Sequence, residues 1–454
     1  MVAQSVDVVV LGMGPGGEDL ASKLAVAGLS VVGIDQRLLG GECPYFGCVP
    51  SKMMIRGADA LAEARRVPAL AGSSTVTADF TPVAKRIRQE ATDDWDDTVG
   101  VERFQSKGGV FVRGHGVITG PNTVTVNGDE YIARRAIVIN TGTEPNIPPI
   151  TGLAGTPYWT NRDAMRLETP PASLAVLGGG AIGAELSQMF ARFGVHVTVI
   201  EGADRLLHIE EPESSDLVEA AFREEGVVIH TGVMATEVSH DANGFSVTLA
   251  DGVVVRAEQL LVASGRRTNL KGIGLGALGL DENARFLETD EYMRVADGVW
   301  AIGDIVGKGG FTHMSMYQAG IATRDILGQD GPPARYHAVP HVTFTDPEVG
   351  SVGLTEAQAR EQGLSVRVGQ MDIPSSARGW IHKLGNSGII KLIADEDRGV
   401  LVGATSVGPN GGEVLSVLAL AVHAAVPVAK FREMIFAYPT FHRAIEAALD
   451  DMMS

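Results

Sequence analysis

Two cysteines stand five positions apart in the segment Cys43-Pro-Tyr-Phe-Gly-Cys48-Val-Pro-Ser-Lys52, and the 454-residue chain has no others. Two thiols so close in sequence can close into a disulfide and reopen, which moves two electrons. Pro50 suits the first turn of a helix. A helix starting there sets Cys48 near a positive dipole end and Lys52 one turn on, and both favour a thiolate. Two small buried thiols are the alternative reading of such a pair taken alone. A metal site is not expected, because no second Cys or His cluster accompanies the pair. Two cysteines are too few for a secreted disulfide framework, so the expected location is the cytoplasm.

The second group of chemically meaningful residues is glycine. A short apolar run over 6–11 leads into Gly12-Met-Gly14-Pro-Gly16-Gly17, a helical pattern over 19–27, a stop at Gly28, and a second apolar run over 30–34 that ends at Asp35. This is a βαβ unit. Gly12, Gly14 and Gly17 permit a tight turn and close approach of a pyrophosphate, whose charge the helix N-terminus stabilises. Asp35 sits where a carboxylate accepts hydrogen bonds from a ribose. Tight packing is the alternative for a lone glycine fingerprint. About 165 residues later the grammar recurs: Leu174-Ala-Val-Leu177, then Gly178, Gly180 and Gly183, a helix to Phe193, and a run over 195–200 that ends at Glu201. Two such units predict two dinucleotide domains. A carboxylate at Glu201 favours a free 2′-hydroxyl, hence NADH over NADPH. Arg205, close in sequence, would soften that preference, and a solvated loop acid is the alternative for Glu201.

The elements that must position these residues follow from pattern and length, and 454 residues suggest two to four domains. Residues 53–107 read as long helices broken at Gly and Pro, and 108–140 alternates like strands. Pro145, Pro148 and Pro149 mark one linker, and Gly331-Pro332-Pro333 another. Beyond it the chain reads as α+β, with strands at 339–344, 388–393 and 403–407 and helices at 413–425 and 440–450. Hydrophobic content of 45% with 20% charged residues fits a globular protein with a large core. The net charge of −18 argues against nucleic-acid or anionic-membrane partners. The first seven residues lack a basic stretch followed by an apolar one, so no secretory signal is expected. The longest apolar run, 414–428, is interrupted by Ser416 and His423 and reads as a buried helix, not a membrane span.

Five ordered motifs carry a resemblance to the flavoprotein disulfide reductases, a family that includes dihydrolipoamide dehydrogenase, glutathione reductase, mycothione reductase and mercuric reductase. Gly40-Gly-Glu-Cys43…Gly47-Cys48-Val-Pro-Ser-Lys52 resembles its redox signature. Thr141-Gly142-Thr-Glu-Pro145 and Ala263-Ser-Gly265-Arg266-Arg267-Thr-Asn269 resemble its two hinges, and Ala301-Ile-Gly303-Asp304 its last FAD motif. Phe344-Thr-Asp-Pro347-Glu-Val-Gly-Ser-Val-Gly353-Leu-Thr355 resembles the opening of its interface domain. The resemblance implies an α/β fold with two Rossmann-like domains and a C-terminal α+β dimerisation domain: FAD-binding over 1–150 and 268–333, NAD-binding over 151–267, interface over 334–454. It implies FAD held by Gly12, Gly14, Gly17, Asp35, Thr141, Gly142, Gly303 and Asp304, and NAD(H) held by Gly178, Gly180, Gly183, Glu201 and Gly265. It further implies a homodimer, with Cys48 as the thiol beside the flavin, Cys43 as the outer thiol, and Lys52 paired with Glu185.

The chain departs from the family at the C-terminus. There a His-Pro followed by a Glu five positions after the His supplies an acid/base dyad from the partner subunit. Here Tyr438 stands at the His position and Arg443 at the Glu position. A phenol is a poor base at neutral pH. Mercuric reductases resemble this site in their tyrosine but carry a C-terminal cysteine pair, whereas this chain ends Asp-Met-Met-Ser454. Soluble transhydrogenases share Tyr-Pro-Thr but lack one redox cysteine. His442 and Glu446, four apart, would share a helix face with Tyr438 and serve as a displaced dyad, with ordinary helix-surface residues as the alternative. Three functions follow. The first is NADH-dependent reduction of a small disulfide, in the manner of dihydrolipoamide dehydrogenase. The second is NAD(P)H reduction of a quinone or other small acceptor directly from the flavin. The third is a docking or redox-sensing flavoprotein with little turnover.

Overall fold

The computed structural model describes residues 3–454, which divide into two compact units. The first comprises the chain up to Pro50, Lys85–Asn146 and Arg266–Tyr336. Its central sheet runs, from one edge, Arg294–Ala296, Val299–Ala301, Asp129–Ile139, Ala3–Leu11, Val31–Asp35, Val110–Arg113, with the hairpin Val117–Gly120 and Thr123–Val126 attached to Asp129–Ile139. Ala3–Leu11 is parallel to both neighbours, pairing Val8 with Val31 and Val8 with Ala136. Its side chains alternate between two cores: Val6, Val9 and Leu11 enter one, Val8 and Val10 the other. Burial on both faces is why this strand reads as a continuous apolar run. The Pro15–Val26 and Thr312–Ile326 helices share the second core, through Leu20, Leu24, Ile321 and Ala322. They lie so close that a Cβ on Gly16 would fall 2.1 Å from the Ser315 hydroxyl.

The second unit comprises Ser51–Ala84, Ile147–Gly265 and His337–Ser454. It holds a parallel sheet in the order Val228–His230, His196–Ile200, Ser173–Leu177, Gln259–Val262, and a three-stranded antiparallel sheet over 235–257. Its third sheet is antiparallel, in the order Pro340–Thr343, Glu348–Gly353, Val400–Gly408, Ile389–Asp395, Val366–Asp372. The Gly411–His423 and Arg443–Asp451 helices cover that sheet, burying Leu415, Leu418, Ala448 and Leu449 against Ile390 and Leu392. Each such leucine contributes about 1.5–3 kcal/mol by leaving water.

This is the expected α/β class with an α+β C-terminal part. Details differ from the sequence pattern in two respects. Of the Gly and Pro breaks expected over 53–107, none falls at Gly57 or Pro68, since one helix runs unbroken from Cys48 to Leu70. The bare Gly57 is used for packing instead, since a Cβ there would meet Val83 at 2.7 Å. The strands Glu348–Gly353 and Val366–Asp372 lack a periodic apolar signature because glycine and polar residues interrupt them. No helix among the described residues is long and apolar enough to cross a membrane, and no three His, Cys, Asp or Glu side chains among them gather as metal ligands.

Candidate active site

Both cysteines lie in the first unit. Cys43 sits in the short Glu42–Tyr45 helix, half-buried, and Cys48 is the exposed first residue of the Cys48–Leu70 helix. Backbone N–H groups at a helix start carry partial positive charge, which favours a sulfur anion. The two side chains are hydrogen-bonded to each other. That bond, together with burial and the negative charge of Cys48, holds the Cys43 thiol far above the ordinary cysteine range. Cys43 is therefore hard to ionise while Cys48 is charged, although the Thr312 hydroxyl and the Cys48 N–H work in the opposite sense on it. The Thr312 hydroxyl lies 3.6 Å from the Cys48 sulfur, at the first residue of the Thr312–Ile326 helix.

The glycine turn after the first strand is built for close approach. Gly12 has φ +92°, and a Cβ on it would fall 2.2 Å from the Asn140 carbonyl oxygen; on Gly17, 2.1 Å from the Gly12 carbonyl oxygen. Gly14 caps the Pro15–Val26 helix without a side chain. The Asp35 carboxylate accepts the Met13 and Arg37 N–H groups at 2.8 Å each, and burial raises its pKa despite them. Asp35, Gly12, Thr141 and Arg266 line a cleft of about 680 Å³. The Thr141 hydroxyl there is buried without a hydrogen-bond partner, which leaves it available to a polar ligand. Past Thr141 and Gly142, the Thr143 hydroxyl donates to Asp304 at 2.6 Å and accepts from Arg266 Nε at 2.7 Å. Arg266 also pairs with Glu42, beside Cys43, at 3.5 Å. Gly303 donates its N–H to Gln318. A bare turn, a ribose-type carboxylate, an orphaned hydroxyl and a roomy cleft fit a dinucleotide such as FAD.

The second unit repeats the turn. Gly178 has φ +112°, a Cβ on Gly183 would fall 1.9 Å from the Gly178 carbonyl oxygen, and the space beside Gly180 is open. The Glu201 carboxylate accepts the Gly179 N–H at 2.6 Å and the Ala203 N–H at 2.7 Å. Asp35 and Glu201 thus hold equivalent places: each binds the N–H following the first glycine and the N–H two residues past itself. Arg205 donates to the His208 and Glu210 carbonyls, so its guanidinium is committed there. Gly265, at φ +96°, closes the segment that returns to the first unit.

Also in the second unit, Lys52 Nζ lies 2.7 Å from Glu185 and 4.7 Å from the centre of the Phe344 ring. Glu185 is buried, and its other oxygen accepts the Phe344 N–H at 2.9 Å.

The C-terminal segment departs from the expected helix face. The helix begins at Arg443, so Tyr438 lies outside it. His442 is the N-cap residue, in helical conformation and without a side-chain capping bond. Glu446 binds Arg443 at 2.9 Å, and Arg443 in turn stacks 5.6 Å from the Tyr438 ring, which is 70% exposed. Because the helix starts only at Arg443, four-residue spacing does not bring Tyr438 and His442 onto one face.

Sequence reasoning did not single out Thr312 or Asn140. Asn140 Nδ2 donates to the Gly12 carbonyl, pinning the glycine turn. Its signal was available as the polar residue that ends a buried strand just before Thr141. Thr312 follows Gly309 and Gly310 at a helix start, but nothing local marks it as a neighbour of a cysteine 264 positions away.

Residues 6–321 match the family described as pyridine nucleotide-disulphide oxidoreductase, and residues 339–449 match that family's dimerisation domain. The dihydrolipoyl dehydrogenase of Chlorobaculum tepidum is 32% identical over 467 residues, covering 100% of this chain and 98% of that protein. Among solved structures, LpdA from Mycobacterium tuberculosis superposes with a TM-score of 0.87 at 26% identity over 100% of both chains. The Cu(II) complex of the HOCl-induced flavoprotein disulfide reductase RclA from Escherichia coli superposes with a TM-score of 0.86 at 26% identity, covering 98% of this chain and 99% of that one.

Proposed function

Because the chain belongs to the pyridine nucleotide-disulphide oxidoreductases, and so is an NAD(P)H-dependent flavin oxidoreductase, we propose that it reduces a small disulfide through Cys43 and Cys48. The single observation that carries this reading is the placement of the pair: a half-buried Cys43, its thiol raised by its neighbour Cys48, and an exposed Cys48 at a helix start. Bound FAD would accept hydride from the nicotinamide and pass two electrons to the cysteine disulfide. Gly12, Gly14, Gly17, Asp35, Thr141, Gly142, Gly303 and Asp304 would hold it. Gly178, Gly180, Gly183, Glu201 and Gly265 would hold NADH. Cys48 would be the sulfur beside the flavin, and Lys52, oriented by Glu185, would carry positive charge toward it.

Once reduced, Cys43 loses its proton and attacks the substrate disulfide. One substrate thiol leaves, and a mixed disulfide forms on Cys43. The Cys48 thiolate then attacks the Cys43 sulfur, releasing the second thiol and restoring the Cys43–Cys48 bond. The raised Cys43 thiol makes the first deprotonation costly, and Tyr438 is no substitute for a histidine base. His442 and Glu446 are the remaining acid/base candidates on the C-terminal segment. The match of residues 339–449 to a dimerisation domain supports a homodimer, and a pair that must stay reducible supports the cytoplasm.

A second reading is favoured by the Glu446–Arg443 bond, which engages the carboxylate four residues from His442. Electrons would then leave from the flavin to a quinone or another small acceptor, a step that needs no thiol base. Steady-state assays with NADH against lipoamide, low-molecular-weight disulfides and quinones test both readings. Cys43→Ser abolishes disulfide reduction under the first and spares acceptor reduction under the second.

A further inference from the structure

One face of the Ala181–Arg192 helix carries Glu185, Gln188 and Arg192, spaced three and four residues apart and all buried. One face of the Cys48–Leu70 helix carries Lys52, Asp59 and Arg66, spaced seven apart. The two faces meet along a polar seam: Lys52 pairs with Glu185 at 2.7 Å, and Asp59 with Arg192 at 2.6 Å. Buried polar side chains must find partners. Here a third segment of chain, residues 343–347, supplies several of them.

Asp346 anchors that segment. Its N–H donates to Gln188 Oε1 at 2.7 Å, and its carbonyl accepts from Gln188 Nε2 at 2.8 Å. Its carboxylate accepts from Arg192 and from Arg66, each at 2.6 Å. Burial would raise its pKa, yet the two guanidiniums hold it below the ordinary aspartate value. Backbone and side chain of Asp346 are thus both gripped, by residues of two helices.

Two positions earlier stands Phe344. Its N–H donates to Glu185 at 2.9 Å, and its ring faces Lys52 Nζ at 4.7 Å. Phe344 therefore binds the Glu185 oxygen that Lys52 does not use, and covers the ammonium through a cation–π contact. An ammonium on a flexible four-carbon stem points where its partners direct it. A shift of Phe344 would loosen both partners at once. Thr345, between the two residues, bonds within the segment, to the Pro347 carbonyl at 2.8 Å. The grip on the helices comes from Asp346.

We propose that Asp346 is a positioning residue: clamped by Gln188, Arg192 and Arg66, it holds Phe344 against Lys52 and Glu185 and so fixes the direction of the Lys52 ammonium. This rests on the proposed function, in which Lys52 carries its charge toward bound FAD. Asp346 acts through Phe344, not by contact with the flavin.

The test is a double-mutant cycle read by the stopped-flow rate of flavin reduction at saturating NADH. It compares holoenzyme of wild type, Asp346→Asn, Lys52→Met and the double variant. Arg192 keeps Asp59 and Glu225 as partners in Asp346→Asn, so its buried guanidinium is not stranded. Asp346→Asn should slow reduction by about fivefold when Lys52 is present, and by less than about 1.5-fold in Lys52→Met. Equal losses in the two backgrounds overturn the proposal, because a merely structural effect acts whether or not the lysine is there. A rate that Asp346→Asn leaves unchanged overturns it too. A Lys52→Met variant as fast as wild type removes the role of Lys52 itself, and the proposal with it. Should Asp346→Asn fail to fold, Arg66→Gln loosens the same carboxylate from its more exposed side, with an expected loss of about twofold that is again absent in Lys52→Met. No loss there, or the same loss in both backgrounds, overturns the proposal.

Discussion

Lys52 and Glu185 form an ion pair at 2.7 Å whose carboxylate is 7% exposed, while the ammonium is 34% exposed. The second Glu185 oxygen is satisfied by the Phe344 N–H at 2.9 Å, so both oxygens are held and the lysine has one direction in which to point. Such a pair is a fixed charge rather than a mobile one. Its contribution to stability is modest, because desolvating the carboxylate offsets much of the attraction.

Glu185→Gln keeps the shape and removes the charge. The expected stability loss is about 1–2 kcal/mol, below the range for a fully buried pair because Lys52 is partly hydrated. The expected loss in the rate of flavin reduction by NADH is larger, at about tenfold or more. Urea unfolding and stopped-flow reduction measure the two separately. A stability loss with an unchanged reduction rate would reduce the pair to scaffolding.

Under the proposed function Glu201, whose oxygens are spread between two backbone N–H groups at the end of a strand, would set coenzyme choice. Glu201→Ala should improve kcat/KM for NADPH relative to NADH by about tenfold, since it removes a charge that repels a 2′-phosphate. A ratio of the two constants that does not move would assign Glu201 to turn geometry alone.

The Cys43 thiol is raised, first by its bond to Cys48 and then by burial. At neutral pH only the minority thiolate attacks a disulfide. The kcat/KM for a disulfide substrate should therefore climb with pH, by about tenfold per unit, with no plateau through the neutral range. Acidification lowers the rate because it removes that thiolate further. A plateau near pH 7 would mean that a base on the enzyme relieves Cys43 of its proton.

Tyr438 and Arg443 occupy the places at which a histidine and a glutamate would form a base. Restoring them with Tyr438→His plus Arg443→Glu should raise lipoamide turnover by at least about tenfold, near the low end of what a general base supplies. His442→Ala should change turnover by less than about twofold, because Glu446 is bonded to Arg443. A tenfold loss on His442→Ala would restore the displaced dyad.

Much of this site was readable before any coordinates. The two glycine turns and their terminal acids obey local rules, a positive φ at Gly12 and Gly178 and a carboxylate one strand away, so spacing alone was informative. The Cys48 helix start was likewise marked by Pro50. Two kinds of feature were not readable. Contacts such as Thr312 with Cys48 join residues brought together only by the sheet order. Breaks in periodicity, such as the helix start at Arg443 and not at Thr440, void an i, i+4 argument drawn across them.

The central claim is that the Cys48 sulfur lies against a bound flavin, and anaerobic titration of the purified holoenzyme with NADH tests it most directly. A long-wavelength thiolate–flavin band should grow on reduction of the wild type, be present without reductant in Cys43→Ser, and be missing from Cys48→Ser. A band that persists in Cys48→Ser, or one that never forms in the wild type or in Cys43→Ser, would contradict the claim.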